Sequence, residues 1–254
     1  AFDPYGLSKG AVIILRNLVD VPRNGSILYD GRDRFASSRP LSVSRAGWAT
    51  IPGSNLSSMV YVNAIHDYGV HFSCPIGEDV SLNDVFSYTG LLVMAKGNGT
   101  TVAIDKDGPG TGTAEVISLN QGESWLVNGG IRKGASIDAS QPVQAHLITG
   151  DKTVNYESRA FTLFPDQQWT STYLTPVGTS SNGQECHAVI YNPNGLPITV
   201  NIASSVGTSS LLVPANGTST WLIPMGSGAR FQSAQGEAFQ ALTAVNASYG
   251  SAGA

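Results

Sequence analysis

Leu91-Leu-Val-Met-Ala-Lys-Gly-Asn-Gly99 returns 96 positions later, without a gap, as His187-Ala-Val-Ile-Tyr-Asn-Pro-Asn-Gly195. The same offset carries Trp125 onto Trp221 and Gln144-Ala145 onto Gln240-Ala241, while Gly122 meets Gly217 at an offset of 95. One unit is used more than once. Its apolar runs are short, β-branched or aromatic, and each is closed by Gly, Pro, Asn or Asp, the pattern of strands joined by turns. The fold class that this implies is all-β, with tandem jelly-roll-like β-sandwich units built from an internal repeat of about 96 residues.

Thirteen runs read as strands: 11–18, 59–65, 90–95, 101–105, 114–119, 124–127, 143–149, 159–164, 172–176, 188–191, 198–202, 219–223 and 239–244. Asn98-Gly99 and Asn194-Gly195 each separate two such runs, which predicts type I′ hairpin turns with both central residues at positive φ.

Echoes of the central unit extend to both sides. Val60 to Gly77 matches the later stretch through Asp67 and Asp166, and through Pro75-Ile76-Gly77 and Pro176-Val177-Gly178. Ser38-Arg39-Pro40-Leu41 stands where Ser140-Gln141-Pro142-Val143 stands in the central unit. The expected organisation is a partial N-terminal unit over 1–85, a complete central sandwich over 86–179 and a partial C-terminal unit over 180–254. Trimmed sandwiches leave backbone groups unpaired at their edges, and either the partial units complete each other or a neighbouring chain does. Residues 1–18 are the candidate exchangeable arm, with Ala11, Val12, Ile13, Ile14 and Leu15 as its assembly residues, because that run is unusually apolar for a chain end. An ordinary first strand is the alternative.

Charged residues make up 13% of the 254 and the net charge is -4. Nucleic acid is therefore excluded as the main partner, since phosphate binding needs a dominant basic field. Seven of the 14 basic residues (Lys9, Arg16, Arg23, Arg32, Arg34, Arg39, Arg45) fall in the first 45 positions, against four acids there. That segment carries about +3 and the remainder about -7, an asymmetry that favours head-to-tail attraction between copies. Solvation of exposed strand faces accounts for the same arginines equally well.

The chain starts at Ala1, and no apolar stretch of about 18 residues reads as a membrane span, so secretion or cell-surface display after removal of an N-terminal signal is expected, without membrane insertion. Five Asn-x-Ser/Thr sequons, at Asn24, Asn55, Asn98, Asn216 and Asn246, are glycosylation candidates. Cys74 and Cys186 form one disulfide or none.

Reactive constellations are few. Gly122-Glu-Ser124-Trp-Leu126 lacks the second glycine of a nucleophile elbow. His66 and His71, five apart, would point to opposite faces of one strand, and His146 and His187 sit singly in strands. Asp105 and Asp107, in Asp105-Lys-Asp-Gly-Pro-Gly110, have the look of a structural calcium loop, with a plain turn as the alternative and no other cofactor expected. Trp125 and Trp221 recur at matched places, which favours core packing over sugar stacking. Trp48 and Trp169 are left open.

The run Gly134-Ala-Ser-Ile-Asp-Ala-Ser-Gln-Pro-Val-Gln-Ala145, followed by Phe164-Pro165-Asp166, Trp169, Tyr173 and Pro176, resembles the N-terminal region of IgG-Fc-binding proteins and their bacterial relatives. The resemblance covers the central 90 residues or so and reaches the flanks only through the repeat. It implies a secreted or cell-surface β-rich module for adhesion or matrix building, with no catalytic residues to carry over. The expected function is thus a non-enzymatic extracellular protein that self-assembles into a filament, surface layer or matrix, its partners being copies of itself, with glycans or surface proteins as further candidates. A monomeric carbohydrate-binding or adhesion module is the alternative, and a hydrolase or viral coat subunit a more remote one.

Overall fold

A computed structural model describes residues 6–15, 34–48, 57–82, 84–108, 112–153, 159–176, 178 and 185–246. Residues 1–30 form one unit and residues 31–254 another, and every described strand belongs to the second. The strands are β1 (Ser44–Trp48), β2 (Ser57–Tyr61), β3 (Gly69–Ser73), β4 (Tyr88–Ala95), β5 (Thr100–Asp105), β6 (Glu115–Leu119), β7 (Ser124–Val127), β8 (Ser136–Gly150), β9 (Arg159–Thr162), β10 (Thr172–Thr175), β11 (Glu185–Asn192), β12 (Ile198–Ser204), β13 (Gly207–Val213), β14 (Gly217–Ile223), β15 (Ala229–Ser233) and β16 (Gln240–Asn246). One 3-10 turn, Asp166–Gln168, lies between β9 and β10. All pairing is antiparallel. The protein is all-β and built as β-sandwiches.

The long strand β8 organises the central sandwich. Its first half pairs with β5 (Val102↔Ala139, Asp105↔Ser136) and β3 (His71↔Asp138), its second with β4 (Val93↔Ala145) and β9 (Leu147↔Phe161). The change of partners falls at residues 140–142. Pro142 suits that point because it has no N–H to offer a ladder, while its carbonyl still accepts from Lys96 N–H at 3.2 Å. A single seven-stranded sheet therefore folds over on itself, so that β6-β5-β8-β3 faces β7-β4-β8-β9. Phe72, Val102, Ile104 and Ile137 from one side meet Leu91, Val93, Ala145 and Leu147 from the other in one buried cluster. Each of these side chains other than Ala145 contributes roughly 1.5–3 kcal/mol of burial free energy.

The C-terminal sandwich repeats this pairing order with different hydrogen-bonded sheets: β13-β12-β15-β10 opposite β14-β11-β16. Ile198, Val200, Ile202 and Phe231 pack against Cys186, Ala188, Ile190 and Ile223. The outer face of β14-β11-β16 is covered as well. Val189, Ala244 and Leu242 join the core of the central sandwich, and Thr218 Oγ1 donates to Pro75 O at 3.2 Å.

The hairpin β1-β2 corresponds to β8-β9. Their leading pairs, Ser44↔Tyr61 and His146↔Thr162, each stand four residues after a proline (Pro40, Pro142) and 14 before another (Pro75, Pro176). β2 lies beside β9, where Thr162 Oγ1 donates to the Tyr61 carbonyl at 2.5 Å. Strand pairing crosses the borders expected at 86 and 179: β3 pairs with β8, and β10 with β15.

Three expectations are corrected. The ungapped match of 91–99 onto 187–195 puts its strands one residue out, because Leu91, Val93 and Ala95 face the central core whereas Cys186, Ala188 and Ile190 face the C-terminal one. A one-residue slip exchanges the two faces of a strand, and apolar residues on both faces of β11 hid it. The Asn-Gly steps are not hairpins. β4 and β5 lie in opposed layers of the folded sheet, β11 and β12 in separate sheets, and only Gly99 among the four turn residues has positive φ (65°). The strand after each step makes its hairpin with the next one, β5 with β6 and β12 with β13. Finally, Ala11–Leu15 forms no strand, and residues 16–18 lie outside the described residues.

Candidate assembly surface

Among the described residues β16 ladders only to β11, with Ala188↔Thr243 and Ile190↔Ala241 among its pairs. In an antiparallel strand each residue turns its N–H and C=O to the same side, and successive residues alternate. Odd-numbered residues here turn theirs outward. Phe239 N–H donates to Thr170 O at 3.1 Å, Ala241 N–H to Gln240 Oε1 at 3.3 Å, and Val245 O accepts from Arg159 Nη2 at 2.8 Å. Between them, Thr243 has no strand beside it among the described residues. At the corresponding place in the central sandwich, residues 146–149 of β8 are laddered to β9. The charged guanidinium of Arg159 is thus a side-chain cap where a strand would otherwise sit, a common way of blunting an edge.

The candidate assembly residues Val12, Ile14 and Leu15 are 83%, 68% and 54% exposed, and Ile13 is partly so. Ala11 N–H donates to Ser8 O at 3.0 Å, a local turn preceding the apolar run. Apolar side chains at four successive positions suit a strand covered on both faces.

Asp166 joins β3 to the 3-10 turn between the sandwiches, accepting from Ser73 N at 2.7 Å and Ser73 Oγ at 2.8 Å. Burial raises its pKa, opposed by the two Ser73 bonds. Beside it His71 Nδ1 and Asp138 Oδ1 are 2.6 Å apart on the exposed face of β3 and β8. Gly69 is required at the start of β3, since a Cβ there would lie 2.4 Å from Pro165 Cβ.

His146 lies under the β1-β2 hairpin, bonded to Gln144, with Thr162 Oγ1 3.4 Å from its Nδ1. Burial, with the charge of Arg45, pushes its pKa down to about 4. His66 lies in the turn before β3, 3.3 Å from Asp67, so it does not share a strand with His71. His187 is 3.4 Å from Glu185. The four histidines stand apart from one another.

Of the calcium candidates, Asp105 Oδ1 accepts from Asp107 N at 3.1 Å, and Asp107 Oδ1 lies 3.6 Å from Arg132 Nε. No three His, Cys, Asp or Glu side chains gather as a metal group among the described residues. Cys74 and Cys186 are buried in different cores and are not joined by a disulfide, and Cys74 has a pKa pushed up to about 12 by burial and the charge of Asp166. Trp125 and Trp221 pack against the two cores, Trp221 edge-on to Phe231 at 5.6 Å. Trp169 is buried edge-on to Tyr191, its indole N–H donating to Phe164 O at 3.1 Å. Among the sequons, Asn98 is exposed but its Oδ1 accepts from Gln121 N at 3.0 Å, and Asn216 is exposed at a turn with φ 48°. Asn246 ends β16, while Asn24 and Asn55 lie outside the described residues.

Sequence reasoning missed Asn192. Its buried Nδ2 donates to Leu196 O (2.8 Å), Pro214 O (3.1 Å) and Val213 O (3.3 Å), and its Oδ1 accepts from Asn194 N at 2.9 Å. The only signal was an asparagine at the end of an apolar run.

No family model matches the chain, and neither does any curated protein or solved structure.

Proposed function

We propose that this is a non-enzymatic extracellular structural or adhesive protein whose copies assemble into a filament, layer or matrix by strand pairing. One observation carries the reading. The two sandwiches share a pairing order, yet β8 has β9 along its outer edge, whereas β16 has an arginine cap and no strand there among the described residues. An outward-facing strand edge is a template for another strand. The charge asymmetry between the first 45 residues and the rest gives copies a reason to meet in one orientation. No described helix is long and apolar enough to cross a membrane. Sedimentation velocity across a hundredfold concentration range tests the reading, with negative-stain images of the concentrated sample. Ordered polymers are expected, and a strictly monomeric protein at the highest concentration overturns it.

One observation favours the alternative of a monomeric glycan-binding module. The outer face of β13-β12-β15 is a shallow depression lined by Asn201, Ser210, Arg230 and Gln232, amide, hydroxyl and guanidinium groups suited to sugar hydroxyls. On that reading, glycan binding is lost in Asn201→Ala and Gln232→Ala while the protein stays monomeric.

A further inference from the structure

We infer that the place beside β16 is filled by residues 11–15 of a second copy, added as a strand in the position that β9 holds beside β8. This rests on the proposed self-association and names its two surfaces.

The acceptor is short and defined. Thr243 is the centre of the outward-facing stretch, flanked by Ala241 and by Val245, whose carbonyl is held by Arg159. An arriving strand displaces that bond and the one from Ala241 N–H to Gln240 Oε1, and offers backbone bonds in return. The faces on either side differ in what they need. Ala241 packs on the C-terminal core, while Leu242 and Ala244 belong to the central one, so a strand added alongside meets apolar surface above and below the sheet. Val12-Ile-Ile-Leu15 offers apolar side chains to both faces, whereas an ordinary half-exposed edge strand would alternate.

Charge matches at both ends. Lys9 and Arg16 flank the apolar run. Exposed Glu237 stands just before β16, and exposed Glu185 is the register partner of Asn246 at its far end. Extended, residues 9–16 span about 24 Å and residues 237–246 about 31 Å, a difference that the long Lys9 and Arg16 side chains can make up in reaching toward the two carboxylates. A continuous apolar segment and an edge with no strand beside it among the described residues, both on one chain, form a donor and an acceptor that generate head-to-tail contacts, which close into rings or continue as filaments.

The test is complementation between full-length chains. Ile14→Lys spoils the donor, and Thr243→Pro spoils the acceptor without removing a bond to β11, since Thr243 N–H points outward. Each variant alone should associate at least about tenfold more weakly than wild type, a loss of about 1.4 kcal/mol. An equimolar mixture should form one-to-one complexes, because each chain keeps the surface the other has lost. As a second measurement that does not depend on Thr243→Pro folding, an Ile13→Cys chain and a tagged Thr243→Cys chain are mixed and oxidised, and the disulfide should link the two chains. A monomeric wild type overturns the self-association reading and this inference with it. Wild-type polymers that persist in both variants overturn the inference alone. So does failure of the mixture to pair, or a disulfide confined to one chain when both substitutions are placed together.

Discussion

Asn192→Asp changes one buried atom from a donor into an oxygen and should be the most damaging near-isosteric substitution in the C-terminal sandwich. The asparagine amide donates to three main-chain carbonyls, at Leu196, Val213 and Pro214, so it ties the arch after β11 to the end of β13. A carboxylate would face those three carbonyl oxygens at about 3 Å with no donor to give, and it is fully buried. The amide has two N–H donors for those three carbonyls, so Asn192→Ala removes both and frees Asn194 N–H, a loss of about 3 kcal/mol at roughly 1 kcal/mol per net hydrogen bond. Asn192→Asp adds the cost of a buried charge and should lose more, about 4–5 kcal/mol at pH 7. Its pH dependence has a definite sign. The new carboxyl has a folded pKa above its unfolded one, so its penalty is small below about pH 4 and grows as pH rises until the folded pKa is passed. Urea unfolding followed by tryptophan fluorescence at pH 4.5 and 7, each variant compared with wild type at the same pH, measures both effects. An Asn192→Asp protein within 1 kcal/mol of wild type at pH 7, or one whose deficit does not shrink on acidification, refutes the reasoning.

Other sites give further expected outcomes. His146, neutral in the fold, contributes stability above pH 6.5 that falls away as pH drops toward about 4, by about 3 kcal/mol, and His146→Gln should flatten that part of the stability profile. Asp166→Asn keeps an acceptor for Ser73 and sheds a charge disfavoured by burial, so its Tm should stay within a few degrees of wild type at pH 7, whereas Asp166→Ala should lose about 2 kcal/mol. Phe231→Ala empties a fully buried ring site against Trp221 and should cost about 3–5 kcal/mol in denaturant unfolding. Cys74 should resist iodoacetamide in the native protein and react only on unfolding, and prompt labelling would contradict its burial.

Strands with alternating or continuous apolar residues were legible in the sequence, and β7 spans the expected 124–127. β13, Gly207-Thr-Ser-Ser-Leu-Leu-Val213, was missed because its first four residues are exposed on both faces and show no period of two. β15, Ala229-Arg-Phe-Gln-Ser233, alternates cleanly but has one large apolar residue, too few to register beside two strong neighbours. The front of β8 was lost to Pro142, which reads as a strand breaker and in fact marks where the strand changes sheets. The arches misled for a related reason: an Asn-Gly step reports a reversal of the chain, and a reversal between layers has the same local chemistry as one within a sheet. Of the proposed assembly surface, the candidate donor was visible as five apolar letters. The candidate acceptor was not, because an open edge is a property of the partners that a strand lacks.

Ala188 and Ile190 feed one hydrophobic core while Val189, between them, feeds the other. Melting either sandwich would therefore strip cover from its neighbour, so the pair should respond to heat as a single cooperative body with one calorimetric peak. Residues 185–192 thus act as a shared wall, and loosening it from either side should be felt on the other, which is the opposite of beads strung on a thread.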